Sequence, residues 1–240
     1  DLHHPNLVEI RELLQYGGEW LLAMEYVEGV DLLRAVAAEV PAGAPYAFDE
    51  PRLRSCLSQL ARALAVLHRA GLVHRDIKPS NVLVTREGRV VVLDFGIALD
   101  ITSPGLPRDE GMTGTILYMA PEQVAAEAVG AKADLYALGV VLFAALTGKA
   151  PFAGRGSAIL DAKLLGPAPD PRALVPDLPG DLAALTVDLL QTDPAHRPSA
   201  ADVLLRLGED TEHAGYSSGV MRAGDITLVG RDEELSVARG

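Results

Sequence analysis

The chain has 240 residues, 49% of them hydrophobic and 22% charged, which suits one sizeable domain or two small ones of an ordinary soluble kind. A net charge of −12 and a pI near 4.9 argue against the broad basic face of a nucleic-acid binder. Cys56 is the single cysteine, so no internal disulfide is possible, and no apolar run reaches the roughly 18 residues that a membrane helix needs.

In chain order, residues 7–14 (LVEIRELL) and 20–27 (WLLAMEYV) read as strands joined at Gly17-Gly18. Two adjacent glycines without the G-x-G-x-x-G spacing suit a hairpin turn better than a phosphate-cradling loop. Residues 50–70 predict a helix, because Leu53, Leu57, Leu60, Leu64 and Leu67 recur at three and four. Asp49 suits its N-cap, Pro51 its first turn and Gly71 its stop. Cys56 lies beside the leucine stripe and reads as core, whereas His68 near the helix end reads as a surface residue favoured by the dipole. Short strands are expected at 82–84 and 89–93, around a turn at Glu87-Gly88. Residues 132–147 are apolar on nearly every face and predict a helix buried at the domain centre, ended by Gly148. A Pro-rich loop at 167–179 precedes helices at 181–191 and 199–207, the latter capped by Ser199. Few strands followed by many helices make the fold class α+β, dominated by α.

The stretch 74–81, HRDIKPSN, interrupts an apolar region with a carboxylate, an ammonium and an amide in one short loop stiffened by Pro79. Thirteen residues after Asn81 stands Asp94, at the end of the strand 89–93. Phosphoryl transfer needs a carboxylate to orient the attacking hydroxyl, a cation for the moving phosphate and oxygen ligands for Mg²⁺. Asp76, Lys78, Asn81 and Asp94 supply that set. A solvated turn explains none of the spacing.

With HRDIKPSN, the DFG of 94–96 and the APE of 120–122 in this order, the sequence resembles the protein kinases, specifically the eukaryotic-like serine/threonine kinases also found in bacteria. The resemblance runs from residue 1 to about 208. It implies a bilobal fold: a remnant of the β-rich N-lobe at 1–29, then the mainly helical C-lobe at 30–208. It implies ATP and Mg²⁺ as cofactors, protein Ser/Thr hydroxyls as substrates and a cytoplasmic location. On it, Asp76 is the catalytic base, Lys78 steadies the transferred phosphate, and Asn81 and Asp94 hold the metal. Met24 matches the gatekeeper, Glu25 to Val27 the hinge that meets adenine through its backbone, Asp31 the ribose contact and Leu83 the floor of the adenine site. Asp134 matches the aspartate that braces the catalytic loop, and Arg197 the partner of Glu122. Ile10, His74 and Phe95 match members of the hydrophobic spine, and Thr115 the threonine beside the catalytic loop.

The family's glycine-rich loop, ATP-anchoring lysine and αC glutamate precede HPNLV (4–8) and are not in these residues, and GRGSA at 154–158 is no substitute. The chain therefore reads as a piece of a longer protein. A pseudokinase, a binding module on the same fold, is the alternative to an enzyme. Arg75 before Asp76 suggests a phosphorylated activation loop, with Thr102, Ser103 and Thr113 as candidate hydroxyls and Asp109 and Glu110 as candidate substitutes. Residues 209–225 read as a linker. Residues 226–240 resemble the opening of an AAA-like ATPase domain, or else form a short amphipathic helix.

Overall fold

The computed structural model describes residues 2–17, 19–41, 45–94, 113–152, 154 and 156–209. Phe95, Gly96, Thr102, Ser103, Asp109, Glu110 and the segments assigned to a linker tail and a following domain, 210–240, lie outside them. A two-stranded antiparallel sheet comes first: β1 (Ile10–Tyr16) and β2 (Glu19–Met24), with Gly17 at φ 61° in the turn. The first strand starts three residues later than expected. Leu7 and Val8 do not extend the hairpin but dock on a strand of the second sheet, where Val8 N–H donates to the Val92 carbonyl at 2.9 Å. Both are buried. Asn6 secures this crossing, donating from Nδ2 to the Val90 carbonyl at 2.7 Å and to Gln59 Oε1 at 2.9 Å. By contrast, Ile10, Leu13, Leu14 and Leu21 of the hairpin are exposed.

The second sheet has the order β3 (Gly29–Asp31), β4 (Val82–Thr85), β5 (Val90–Val92), all antiparallel. Alternation sends Val82 and Val84 into the core and turns Leu83 to the other face. Asp31 is the direct cross-strand partner of Leu83, so these two residues share that face. Helix α1 (Leu32–Val36) follows at once, capped by Asp31 Oδ1, which accepts from Arg34 N–H at 3.0 Å.

Helix α2 (Glu50–Arg69) begins as the sequence dictates, with Asp49 Oδ1 accepting from Arg52 N–H at 3.0 Å. All five leucines of its stripe are fully buried, each contributing roughly 1.5–3 kcal/mol by transfer from water. Cys56 is buried beside them. Helix α5 (Ala131–Thr147) is buried from Ala133 through Thr147 and runs through the hydrophobic core. It ends at Gly148, whose φ of 69° is the left-handed conformation a helix stop of this kind requires. A Cβ at Gly139 would meet Leu189 Cβ at 2.8 Å, so glycine is what lets α5 approach α7 (Gly180–Leu189) this closely. Helix α8 (Ala200–Arg206) starts at Ser199 in a capping box with Asp202 and packs on α2.

Between β5 and α8 lie three helices the periodicity did not reveal: α3 (Thr113–Ile116), α4 (Pro121–Val124) and α6 (Ser157–Leu165). The first two are single turns. The third, at nine residues, is too short for its period to stand out.

Candidate active site

Asp134, on the first turns of α5, organises the loop 74–81 from inside the protein. It is 1% exposed. Its Oδ2 accepts from His74 N–H at 2.9 Å and its Oδ1 from Arg75 N–H at 2.8 Å. Arg75 sits at φ 68°, a left-handed conformation that costs a non-glycine residue about 1 kcal/mol or more unless its surroundings enforce it. The Asp134 carboxylate and Gln123 Nε2, which donates to the Arg75 carbonyl at 3.1 Å, do so here. Arg75 itself is partnered.

His68 corrects the sequence reading. Its Nε2 lies 2.8 Å from Asp134 Oδ2, and its side chain is only 13% exposed. It belongs to the support of the catalytic loop, not to the solvated end of α2. The partner is 66 residues away, on a different helix, so helix-end position alone favoured the dipole explanation.

The residues of HRDIKPSN converge. Asp76 Oδ2 accepts from Lys78 Nζ at 2.7 Å and from Asn81 Nδ2 at 2.9 Å. Asn81 Nδ2 also donates to the Asp76 carbonyl at 3.0 Å, closing the loop on itself across the turn Pro79–Asn81. Lys78 Nζ reaches Thr115 Oγ1 as well, at 3.2 Å, so the carboxylate, the ammonium and the hydroxyl stand in one row. His74 is buried and its Nε2 lies 2.8 Å from the Leu93 carbonyl, in keeping with a structural role. Leu93 N–H donates to the Asn81 carbonyl at 2.9 Å. Asp94 follows directly, exposed and at φ 49°. The end of β5 is thus pinned to the catalytic loop from both sides.

The Asn81 amide nitrogen is committed to Asp76, and the described partner of its Oδ1 is Ser80 Oγ at a long 3.4 Å. An amide oxygen and the Asp94 carboxylate are hard oxygen donors, the kind Mg²⁺ takes alongside phosphate oxygens. Among the described residues no group of three or more His, Cys, Asp or Glu side chains is placed to hold a metal by itself.

The remaining expected site residues spread over the two sheets. Met24 ends β2 opposite Ile10. Glu25 N–H donates to the Glu9 carbonyl at 2.9 Å, and its side chain pairs with Arg89 at 3.1 Å. Val27 is half-buried, and Asp31 and Leu83 lie together as described. A cavity of about 900 Å3 includes Val27 but runs along Arg86 and Glu87, without Asp76, Lys78, Asn81 or Asp94.

Below the site, Arg197 forms a bidentate pair with Glu122, Nη1 to Oε1 at 2.6 Å and Nη2 to Oε2 at 2.7 Å. Their side chains are 0% and 4% exposed. Arg197 also donates to the carbonyls of Gln191, Thr192 and Lys132 and lies over the Tyr136 ring at 4.9 Å. This ties the end of the segment 113–122 to the loop before α8.

A family model described as the protein kinase domain matches residues 1–206. The chain belongs to the protein kinase family. It is 34% identical over 248 residues to the serine/threonine-protein kinase PrkC of Bacillus subtilis, covering 100% of this chain and 37% of that protein. It is 34% identical over 220 residues to PknH of Mycobacterium tuberculosis, covering 89% of this chain and 34% of PknH. PknA of the same species is 36% identical over 201 residues, covering 82% and 45% of the two chains. The chain thus spans between about a third and a half of the length of these relatives. Its fold is the α+β kinase fold, and its relatives are named serine/threonine-protein kinases. No described helix is long and apolar enough to cross a membrane.

Proposed function

We propose that the protein of which these residues are part transfers the γ-phosphate of ATP to Ser or Thr hydroxyls of proteins, with Asp76 as base, Lys78 as phosphate-steadying cation and Asn81 and Asp94 as Mg²⁺ ligands. The observation that carries this reading is the arrangement at Asp76. One carboxylate oxygen is held by an ammonium and an amide at 2.7 and 2.9 Å, in a loop fixed from beneath by the buried Asp134. Such a carboxylate is preorganised, and its other oxygen is the one for an incoming hydroxyl. As the hydroxyl oxygen bonds to the γ-phosphorus, its proton passes to Asp76 and the bond from that phosphorus to the bridging oxygen breaks, leaving ADP. Lys78, already beside Asp76, offsets the charge gathering on the transferred group. Asn81 and Asp94 would hold Mg²⁺, which when bound would supply charge neutralisation to the phosphate oxygens.

The adenosine end of ATP takes the hinge and the shared face of Asp31 and Leu83. Asp31 meets the ribose while one of its oxygens caps α1. The protein substrate enters along the segment that starts at Thr115, because Lys78 bridges Asp76 and Thr115. The site acts in the cytoplasm, where ATP is supplied. An intact catalytic set favours the enzyme over the pseudokinase.

Asp94→Ala separates these roles. Titration calorimetry on the full-length protein is expected to show ATP affinity that rises with Mg²⁺ in the parent and does not in the variant. Equal Mg²⁺ dependence in both overturns the assignment of Asp94.

A further inference from the structure

Lys163, on α6, is a charged residue that the chemistry above does not use, and it is 1% exposed. Its ammonium has three N–H donors and meets three backbone carbonyls: Ile116 at 3.0 Å, Leu117 at 2.7 Å and Met119 at 2.5 Å. All three belong to the half-buried stretch that starts at Thr115, the residue bonded to Lys78. The backbone of 117–119 is a turn followed by a residue in neither helix nor strand, so no helix or sheet bonding holds its carbonyls. Three carbonyl oxygens converging within 3.0 Å of one point repel each other unless a cation sits there.

The other groups packed around Lys163 do not replace it. Tyr136 of α5 lies with its ring 5.3 Å from Nζ, and burial pushes its phenol up, so that it stays neutral. Glu122 of α4 is committed to Arg197. Asp161 on α6 itself is exposed. Among the described residues no carboxylate pairs with Lys163.

We infer that Lys163 is a positioning residue for the protein substrate: it fixes the backbone of 116–119 in the shape against which the peptide flanking the acceptor hydroxyl is seated. This rests on the proposed entry of substrate along Thr115. Lys163 touches neither ATP nor the reacting atoms, so its effect falls on the peptide alone. Burial also pushes the Lys163 ammonium down to about 7. Above that pH the amine has two N–H donors for three carbonyls, and the grip on the segment weakens.

The test compares Lys163→Met, which keeps the length and removes every donor, with Lys163→Gln, which keeps two, in the full-length protein. Losing hydrogen bonds from a charged donor should raise the KM for a Ser/Thr peptide by about tenfold or more in the Met variant. Gln should give a smaller rise, and the KM for ATP should stay as in the parent. In the parent, the peptide KM should rise as pH passes upward through 7. This profile keeps the inference open to refutation if neither variant folds. An unchanged peptide KM, a parallel rise in both KM values, or a flat pH profile in the parent overturns the inference. If the parent transfers no phosphate, the proposed function fails, and hydrogen exchange decides the inference separately. Faster exchange at 116–120 in Lys163→Met supports the tether, and unchanged exchange there overturns it.

Discussion

Asp76→Ala in the full-length protein is expected to lower the turnover of peptide phosphorylation by roughly 10²–10⁴, the usual contribution of a positioned general base. The substitution removes the acceptor for the hydroxyl proton. It also frees Lys78 Nζ and Asn81 Nδ2 from the oxygen that holds them at 2.7 and 2.9 Å. The loop stays in place, because its anchors are the Asp134 carboxylate beneath it and the Asn81 backbone bonded to Leu93. ATP affinity should therefore change little, since Asn81 Nδ2 keeps its bond to the backbone carbonyl of residue 76 at 3.0 Å and the proposed adenosine contacts and Asp94 lie elsewhere. Steady-state kinetics that show parental turnover in Asp76→Ala would contradict the role given to Asp76.

Arg197→Met is expected to cost about 3–5 kcal/mol of stability, the range for removing one partner of a buried ion pair. The loss has two sources. Glu122, with its side chain 4% exposed, is left as a buried carboxylate without its bidentate partner. The carbonyls of Gln191, Thr192 and Lys132 lose their donor at the same time. Arg197→Lys should recover only part of it, because one ammonium cannot reproduce a planar fork. With total stabilities near 5–15 kcal/mol, the Met variant stands close to unfolding. Urea unfolding of parent and variants, followed by circular dichroism, measures the difference. A change under about 1 kcal/mol, the scale of an exposed pair, would show that the pair does not hold the structure as its geometry implies.

How much of this was legible in the sequence depends on where each signal lies. The convergence of Asp76, Lys78 and Asn81 was legible, because all three stand within eight consecutive residues, and their side chains do meet. Helices α2 and α5 were legible to within a residue or so, the first by its leucine stripe and capping Asp49, the second by an apolar run ended by a glycine. The roles of Asp134 and Arg197 followed from the family resemblance, and both make the expected contacts.

Other features depend on partners distant in sequence. His68 was read from its place at the end of α2, but a carboxylate on α5 determines its position. Leu7 and Val8 are apolar and run straight into the strand that follows, yet they pair with Val92 on the other sheet, and nothing local distinguishes the two outcomes. Helix α6 was missed behind the glycines of GRGSA, and with it Lys163. One signal was present: Lys163 stands four residues after the buried Ile159, on the same helical face. A lysine in register with a core isoleucine is either stretched to solvent or bonded inside, and only the fold shows the three carbonyls that hold it.

The central claim is that the loop 74–81, with Asp94, forms a working phosphoryl-transfer centre. Incubation of the full-length protein with γ-labelled ATP, Mg²⁺ and a Ser/Thr peptide tests it most directly. Label appearing on the peptide hydroxyl, and disappearing when Mg²⁺ is chelated, is the predicted result. A protein that binds Mg-ATP but leaves the peptide unlabelled would contradict the claim and make this chain part of a pseudokinase.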